Sequence, residues 1–197
     1  NSKESFEKTR YGWLVDDKIR TNTIKNALFC ADDIGNRKKV CGISWRSESK
    51  KTGVDISRSL SLKKFIEMLD LENYAYVSLQ YGDTSEEINI VRDELGVDIK
   101  SYKEVDNFMD IDGLACLIQA CDVVVSIDNT TVHLAGALGK DVRVLLPYFP
   151  DWRWQSNKES SLWYASLKLY RQNSDNQWDF AFKQIREDLI RKKLITN

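Results

Sequence analysis

The stretch DVVVSIDNTTVHLAGALG, residues 122–139, decides the fold. Its opening run, Val123 to Ile127, is almost wholly apolar and β-branched, as a strand buried on both faces of a parallel sheet must be. A polar turn, Asp128-Asn129-Thr130-Thr131, comes next. Ala135, Gly136 and Ala137 then supply small side chains that let a helix lie close against the sheet, and Gly139 stops it. This is a strand, a turn and a helix in the order of one βα unit.

Working outward, the same alternation recurs. Upstream lie the strand candidates KVCGISW (39–45), YAYVSLQ (74–80) and the weaker VDIKS (97–101). Between them Ser61 opens a helix with Leu62, Phe65, Ile66 and Leu69 on one face. Thr84 and Glu87 have capping-box spacing for a helix carrying Ile88, Val91 and Leu95 and closed by Gly96. A stripe of Leu114, Leu117, Ile118 and Cys121 runs into the decisive strand. Downstream come VRVLL (142–146), ended by Pro147, then an aromatic loop with Tyr148, Phe149, Trp152, Trp154, Trp163 and Tyr164, a sixth strand LKLYR and an amphipathic helix over 178–195. Right-handed crossovers turn such a series into an α/β, Rossmann-like, doubly wound parallel sheet with helices on both faces. The expectation is one domain over 39–197, with 1–38 as a lead-in or linker.

Composition narrows the function classes. A chain of 197 residues with 42% hydrophobic and 30% charged residues, nine glycines and two prolines suits one folded domain. The net charge of -1 gives no global field for nucleic acid or an anionic membrane. No apolar run approaches the roughly 20 residues of a spanning helix, and the charged start NSKESFEKTR is unlike a secretory signal, so a cytoplasmic location is expected. Cys30, Cys41, Cys116 and Cys121 form no C-x-x-C pair and one histidine is present, so no metal site is expected and the thiols read as buried and free. The first residue is asparagine, which suggests a piece of a longer chain.

In open α/β sheets ligands settle beyond the carboxyl ends of the strands. The turn from Ser126 to Thr131 gathers hydroxyls and helix-start N–H groups where the helix dipole favours an anion, and a phosphate fits there. The same turn also reads as no more than a helix cap. Arg46, Lys50, Lys51 and Arg58, with Ser44 and Ser47, supply positive charge and hydroxyls in the loop after the first strand; such a run is equally a solvated loop. His133 lies one turn into the helix, placed to donate to a ligand or to be an ordinary helix histidine. Gln80, Gly82 and Asp83 are placed to meet a base or ribose. Gly139-Lys140-Asp141 is no P-loop, and no G-x-G-x-x-G follows the first strand.

The strings SIDNTTVHLAGALGKDVRVLLPYFPDWRW, GISWRS, VSLQYGD and LWYASLKLYRQ together resemble the C-terminal domain of glycosyltransferase family 9-like proteins, which include the lipopolysaccharide heptosyltransferases. The version most similar is the bacterial one attached to tetratricopeptide repeats. The resemblance covers residues 38–190 and implies the C-terminal half of a GT-B fold, the half that holds a nucleoside-diphosphate sugar. By motif, Asp128 would face the sugar or its phosphate, Asn129, Thr130 and Thr131 would offer donors to the diphosphate, and His133 takes the family's histidine position. Ser44 and Arg58 would meet the phosphates from the first loop. The implied reaction is displacement at the anomeric carbon with the nucleoside diphosphate leaving, its charge stabilised by the helix start and Arg58, with no cofactor and no metal. A general base would come from an N-terminal domain, leaving Asp128 and His133 as the only catalytic candidates in this chain. An inactive nucleotide-sugar-binding or interaction module attached to repeats, and an epimerase of similar architecture, are the alternatives.

Overall fold

The computed structural model describes residues 12–28, 38–47, 58–156 and 158–195. Lys50, Lys51 and Cys30 lie outside them. The chain forms helix α1 (Lys18–Leu28), strand β1 (Lys39–Ser44), α2 (Leu62–Leu69), β2 (Tyr74–Ser78), α3 (Ser85–Leu95), β3 (Ile99–Lys100), α4 (Ile111–Ala120), β4 (Val123–Ile127), α5 (Thr130–Ala137), β5 (Val142–Leu146), a 3-10 turn (Trp152–Trp154), β6 (Leu167–Arg171) and α6 (Asp179–Ile195). The six strands lie in the order β3-β2-β1-β4-β5-β6 and every pair is parallel. This is the doubly wound, Rossmann-like sheet.

Two apolar layers flank it, as the period-two alternation of a strand dictates. On one face Val40, Val77, Val124, Val142 and Val144 meet α1, α4 and α5. On the other, Cys41, Ile43, Val123, Val125 and Ile127 meet α2, α3 and α6. Helix α1 falls within the stretch expected to be a lead-in, yet its Ile24 and Leu28 are 1% and 6% exposed in the first layer and it packs along α4. Arg20 of α1 ion-pairs with Asp110, which caps α4 by accepting from the Gly113 N–H at 2.8 Å. Cys41, Cys116 and Cys121 are buried free thiols.

One polar group crosses the second layer. Arg143 of β5 is fully buried and bonds Asp141 and, on α6, Asp188, each at 2.5 Å; Lys168 of β6 joins Asp188 at 2.5 Å. The two ends of the sheet are short or covered. Strand β3 has two residues, and outside β6 the Leu169 N–H donates to the Glu159 carbonyl at 2.9 Å beside an antiparallel bridge from Ser160 to Lys168.

The expected capping box does not form. Thr84 makes no side-chain cap; Asp83 Oδ1 accepts from the Ser85 N–H at 2.9 Å instead. Glu87 is drawn away by stronger partners, accepting from the Trp45 indole N–H at 2.8 Å and from Arg46 Nε at 3.1 Å. A carboxylate shared by an indole N–H and a guanidinium gains more than one reaching back to a single backbone N–H. No described helix is long and apolar enough to cross a membrane.

Candidate functional site

The strand order reverses between β1 and β4, and both strands end on the same side of the sheet. Their following loops therefore share one mouth, the place where open α/β sheets take ligands. The register pairs Ser44 with Ser126 at its floor.

The floor is a buried hydrogen-bond network. Asn129 caps α5 through Oδ1, which accepts from the Thr131 N–H at 3.1 Å, and its Nδ2 donates to Ser44 Oγ at 2.7 Å. Ser44 donates onward to Gln80 Oε1 at 3.0 Å, and the same oxygen accepts from the Trp45 and Arg46 N–H groups, both at 3.0 Å. The turn after β1 has buried donors that need acceptors, and Gln80 supplies one for three of them. So the side chains of Ser44, Gln80 and Asn129 tie β1, β2 and β4 together. Arg46 also spans loops, donating to the Asp83 carbonyl at 2.9 Å and pairing with Glu87. Thr131 is buried and Thr130 stands exposed at the start of α5.

Above this floor the structure brings Arg58 and Asp128 together. Arg58 approaches Asp128 at 3.8 Å and donates to Ser47 Oγ at 3.1 Å. Asp128 is 5% exposed, and burial pushes its carboxyl above the ordinary range, although the Trp154 indole, Arg58, His133 and Arg153 all pull the other way. The Trp154 N–H lies close enough to Asp128 to favour its ionised form, yet it has no hydrogen bond of regular geometry. His133 is stacked on the Trp154 ring at 5.2 Å, and its Nδ1 is 3.2 Å from the Tyr164 hydroxyl. Burial holds the imidazole below its ordinary value, with Asp128 opposing, which favours the neutral ring.

A second recess opens beside Gln80, at the carboxyl ends of β2 and β3. It is about 440 Å³ and is lined by Ser78, Gln80, Asp83, Tyr102, Asp106 and Asn107, among others. Three of its buried polar atoms, Ser78 Oγ, Gln80 Nε2 and Asn107 Oδ1, lack a hydrogen-bond partner. These three atoms are sealed from solvent rather than open to the recess. Sequence reasoning named Gln80, Gly82 and Asp83 here but not Ser78, Asn107 or, at the other recess, Arg153. Ser78 is the last residue of β2, while Asn107 and Arg153 lie well beyond the ends of β3 and β5, so strand position alone does not signal them.

The raised carboxyl of Asp128 makes a testable statement. A group whose pKa is higher folded than unfolded loses stability as pH rises through that interval, and the loss is complete above it. Asp128→Asn should therefore melt at a higher temperature than the parent at pH 7, with the difference vanishing once both are studied below the ordinary carboxylate range. Thermal unfolding across that pH span measures it. A variant less stable at neutral pH would show that Arg58 and Trp154 outweigh the cost of burial.

Comparison with known proteins gives the same architecture. The ADP-heptose lipopolysaccharide heptosyltransferase II of E. coli superposes with a TM-score of 0.59 and 14% identity, over 89% of this chain and 51% of that one. A glycosyl transferase family 9 structure from Veillonella parvula superposes with a TM-score of 0.55 and 10% identity, over 81% of this chain and 42% of that one. The chain has their fold. It spans about half of each solved structure. In sequence it is 32% identical over 177 residues to Protein FlbA of Caulobacter vibrioides, across 89% of this chain and 28% of that relative. No family model matches.

Proposed function

We propose that this chain holds a nucleoside-diphosphate sugar at the mouth between β1 and β4, as the donor-binding part of a glycosyltransferase. The observation that carries the reading is the meeting of Arg58 and Asp128 beside the start of α5. The helix start and the Arg58 guanidinium favour the diphosphate, through the exposed Thr130 hydroxyl and backbone N–H groups. Asp128 is left to accept from sugar hydroxyls. The 440 Å³ recess beside Gln80 would take the nucleoside, with the Asp83 and Asp106 carboxylates in its lining to accept from ribose hydroxyls.

In transfer, negative charge grows on the departing diphosphate, and a preorganised cation and helix start would stabilise it there. The acceptor hydroxyl and its base would come from elsewhere in a longer protein, whether a second Rossmann-like half or other attached units such as repeats. The likeness of fold to two sugar transferases supports this reading, and the polar-lined recess beside Gln80 gives room for a nucleoside next to the phosphate.

Calorimetry with nucleoside, nucleoside diphosphate and sugar nucleotide tests the proposal. The diphosphate should bind at least about tenfold more tightly than the nucleoside, the worth of one charge-assisted hydrogen bond. Equal affinities would remove the phosphate site from the reading.

A further inference from the structure

A line of rings runs from the residues ahead of α1 to the candidate site. The Trp13 and Leu14 N–H groups both donate to the Ala137 carbonyl of α5, at 2.8 and 3.0 Å. Gly12 lies so close to Gly139 that an added Cβ would stand 2.6 Å from its backbone nitrogen, so this seat takes only glycine. These contacts hold the Trp13 ring against Tyr164, with centroids 5.5 Å apart and planes 21° from parallel. Tyr164 is let in by Gly136, where a Cβ would come within 2.5 Å of its ring. Beyond it the hydroxyl is 3.2 Å from His133 Nδ1, and the imidazole is stacked on Trp154.

Trp13 is 54% exposed, so burial alone does not explain its place. We infer that Trp13 and Tyr164 are positioning residues for His133: Trp13 fixes Tyr164, whose hydroxyl donates to Nδ1, so that the imidazole carries its proton on Nε2. Which ring nitrogen is protonated is set by the bond the other one makes. The arrangement needs a neutral imidazole and a protonated phenol, and burial favours both, holding His133 down and pushing Tyr164 up. The charged groups acting on the ring are Asp128 after β4 and Asp151 and Arg153 at the 3-10 turn. That the Nε2 proton then serves a bound diphosphate sugar rests on the proposed function; the tautomer itself does not.

The chain has one histidine, so nitrogen-15 spectra of the imidazole report His133 alone. The full chain should show the Nε2-protonated tautomer at pH 7. Tyr164→Phe should weaken that preference and raise the His133 pKa toward its ordinary 6.5, because the neutral ring loses a donor. Trp13→Ala should move both signals the same way by less, and Trp13→Phe should restore them, which a merely stabilising role would not produce. Diphosphate affinity should fall roughly three- to tenfold in Tyr164→Phe. An Nδ1-protonated ring in the parent chain, or spectra unchanged by both Tyr164→Phe and Trp13→Ala, would overturn the inference. The spectra need no ligand, so an unchanged diphosphate affinity beside the expected tautomer shift would count against the proposed function alone. If Trp13→Ala fails to fold, Trp13→Phe and Tyr164→Phe still decide the tautomer.

Discussion

Arg58→Ala is expected to weaken nucleoside-diphosphate binding by about 1.5 to 3 kcal/mol, the range of a hydrogen bond to a charged group. Arg58 is the cation that the structure places beside Asp128, reaching it at 3.8 Å while Ser47 steadies the guanidinium. Arg46, the other described arginine of the same loop, is committed to Glu87 and the Asp83 carbonyl. Its replacement should instead lower stability by loosening the turn after β1. Titration of each purified variant with a nucleoside diphosphate separates the two roles. A larger affinity loss in Arg46→Ala, at unchanged stability, would reassign the phosphate partner, and so would a larger loss in Lys50→Ala or Lys51→Ala.

The largest effect on stability is expected at Asp188. Removing one partner from a buried ion pair typically costs about 3 to 5 kcal/mol, because the other charge is left without compensation in an apolar layer. Arg143 keeps Asp141 when Asp188 is lost, and Asp188 is itself partly exposed, so Asp188→Ala should fall below that range, at about 1.5 to 3 kcal/mol. Burial pushes the Asp188 carboxyl up, but Lys168 and Arg143 together hold it below the ordinary range. A depressed folded pKa gives stability that is present at neutral pH and is lost as pH falls through that value. The penalty should therefore shrink in acid. Urea unfolding at pH 7 and near pH 3 checks both parts, and Lys168→Ala, whose side chain is half exposed, should cost no more than about 1 kcal/mol.

The sheet was legible because its strands are written in unbroken β-branched runs and its helices in spaced apolar ones. The βα unit around Asp128 was legible too, since a polar turn between such segments has few other uses. The approach of Arg58 to Asp128 follows from strand order, which periodicity does not encode directly. It becomes visible once β1 and β4 are neighbours. Helix α1 escaped notice because KIRTNTIKNAL offers little apolar pattern beyond Ile24 and Leu28. The inward commitment of Ser44, Gln80 and Asn129 was also hidden. A polar residue at a strand end looks the same in sequence whether it faces a ligand or the unmet donors of the next loop. Trp154 and Tyr164 were seen only as members of an aromatic loop, because ring-to-ring contact depends on a turn geometry that the letters do not carry.

The ends of the sheet bear on how the protein can be handled. An exposed strand edge is a template on which another chain can add a strand, and long bare edges drive aggregation. Here one end stops after the two residues of β3, and the other is occupied by the Glu159 and Ser160 backbone, with Lys168 and Arg171 on the strand itself. The folded domain thus offers its neighbours little to stack upon. Concentrating it for spectroscopy should leave it dispersed, and any precipitation that grows with temperature should track unfolding rather than edge-to-edge growth of the native sheet.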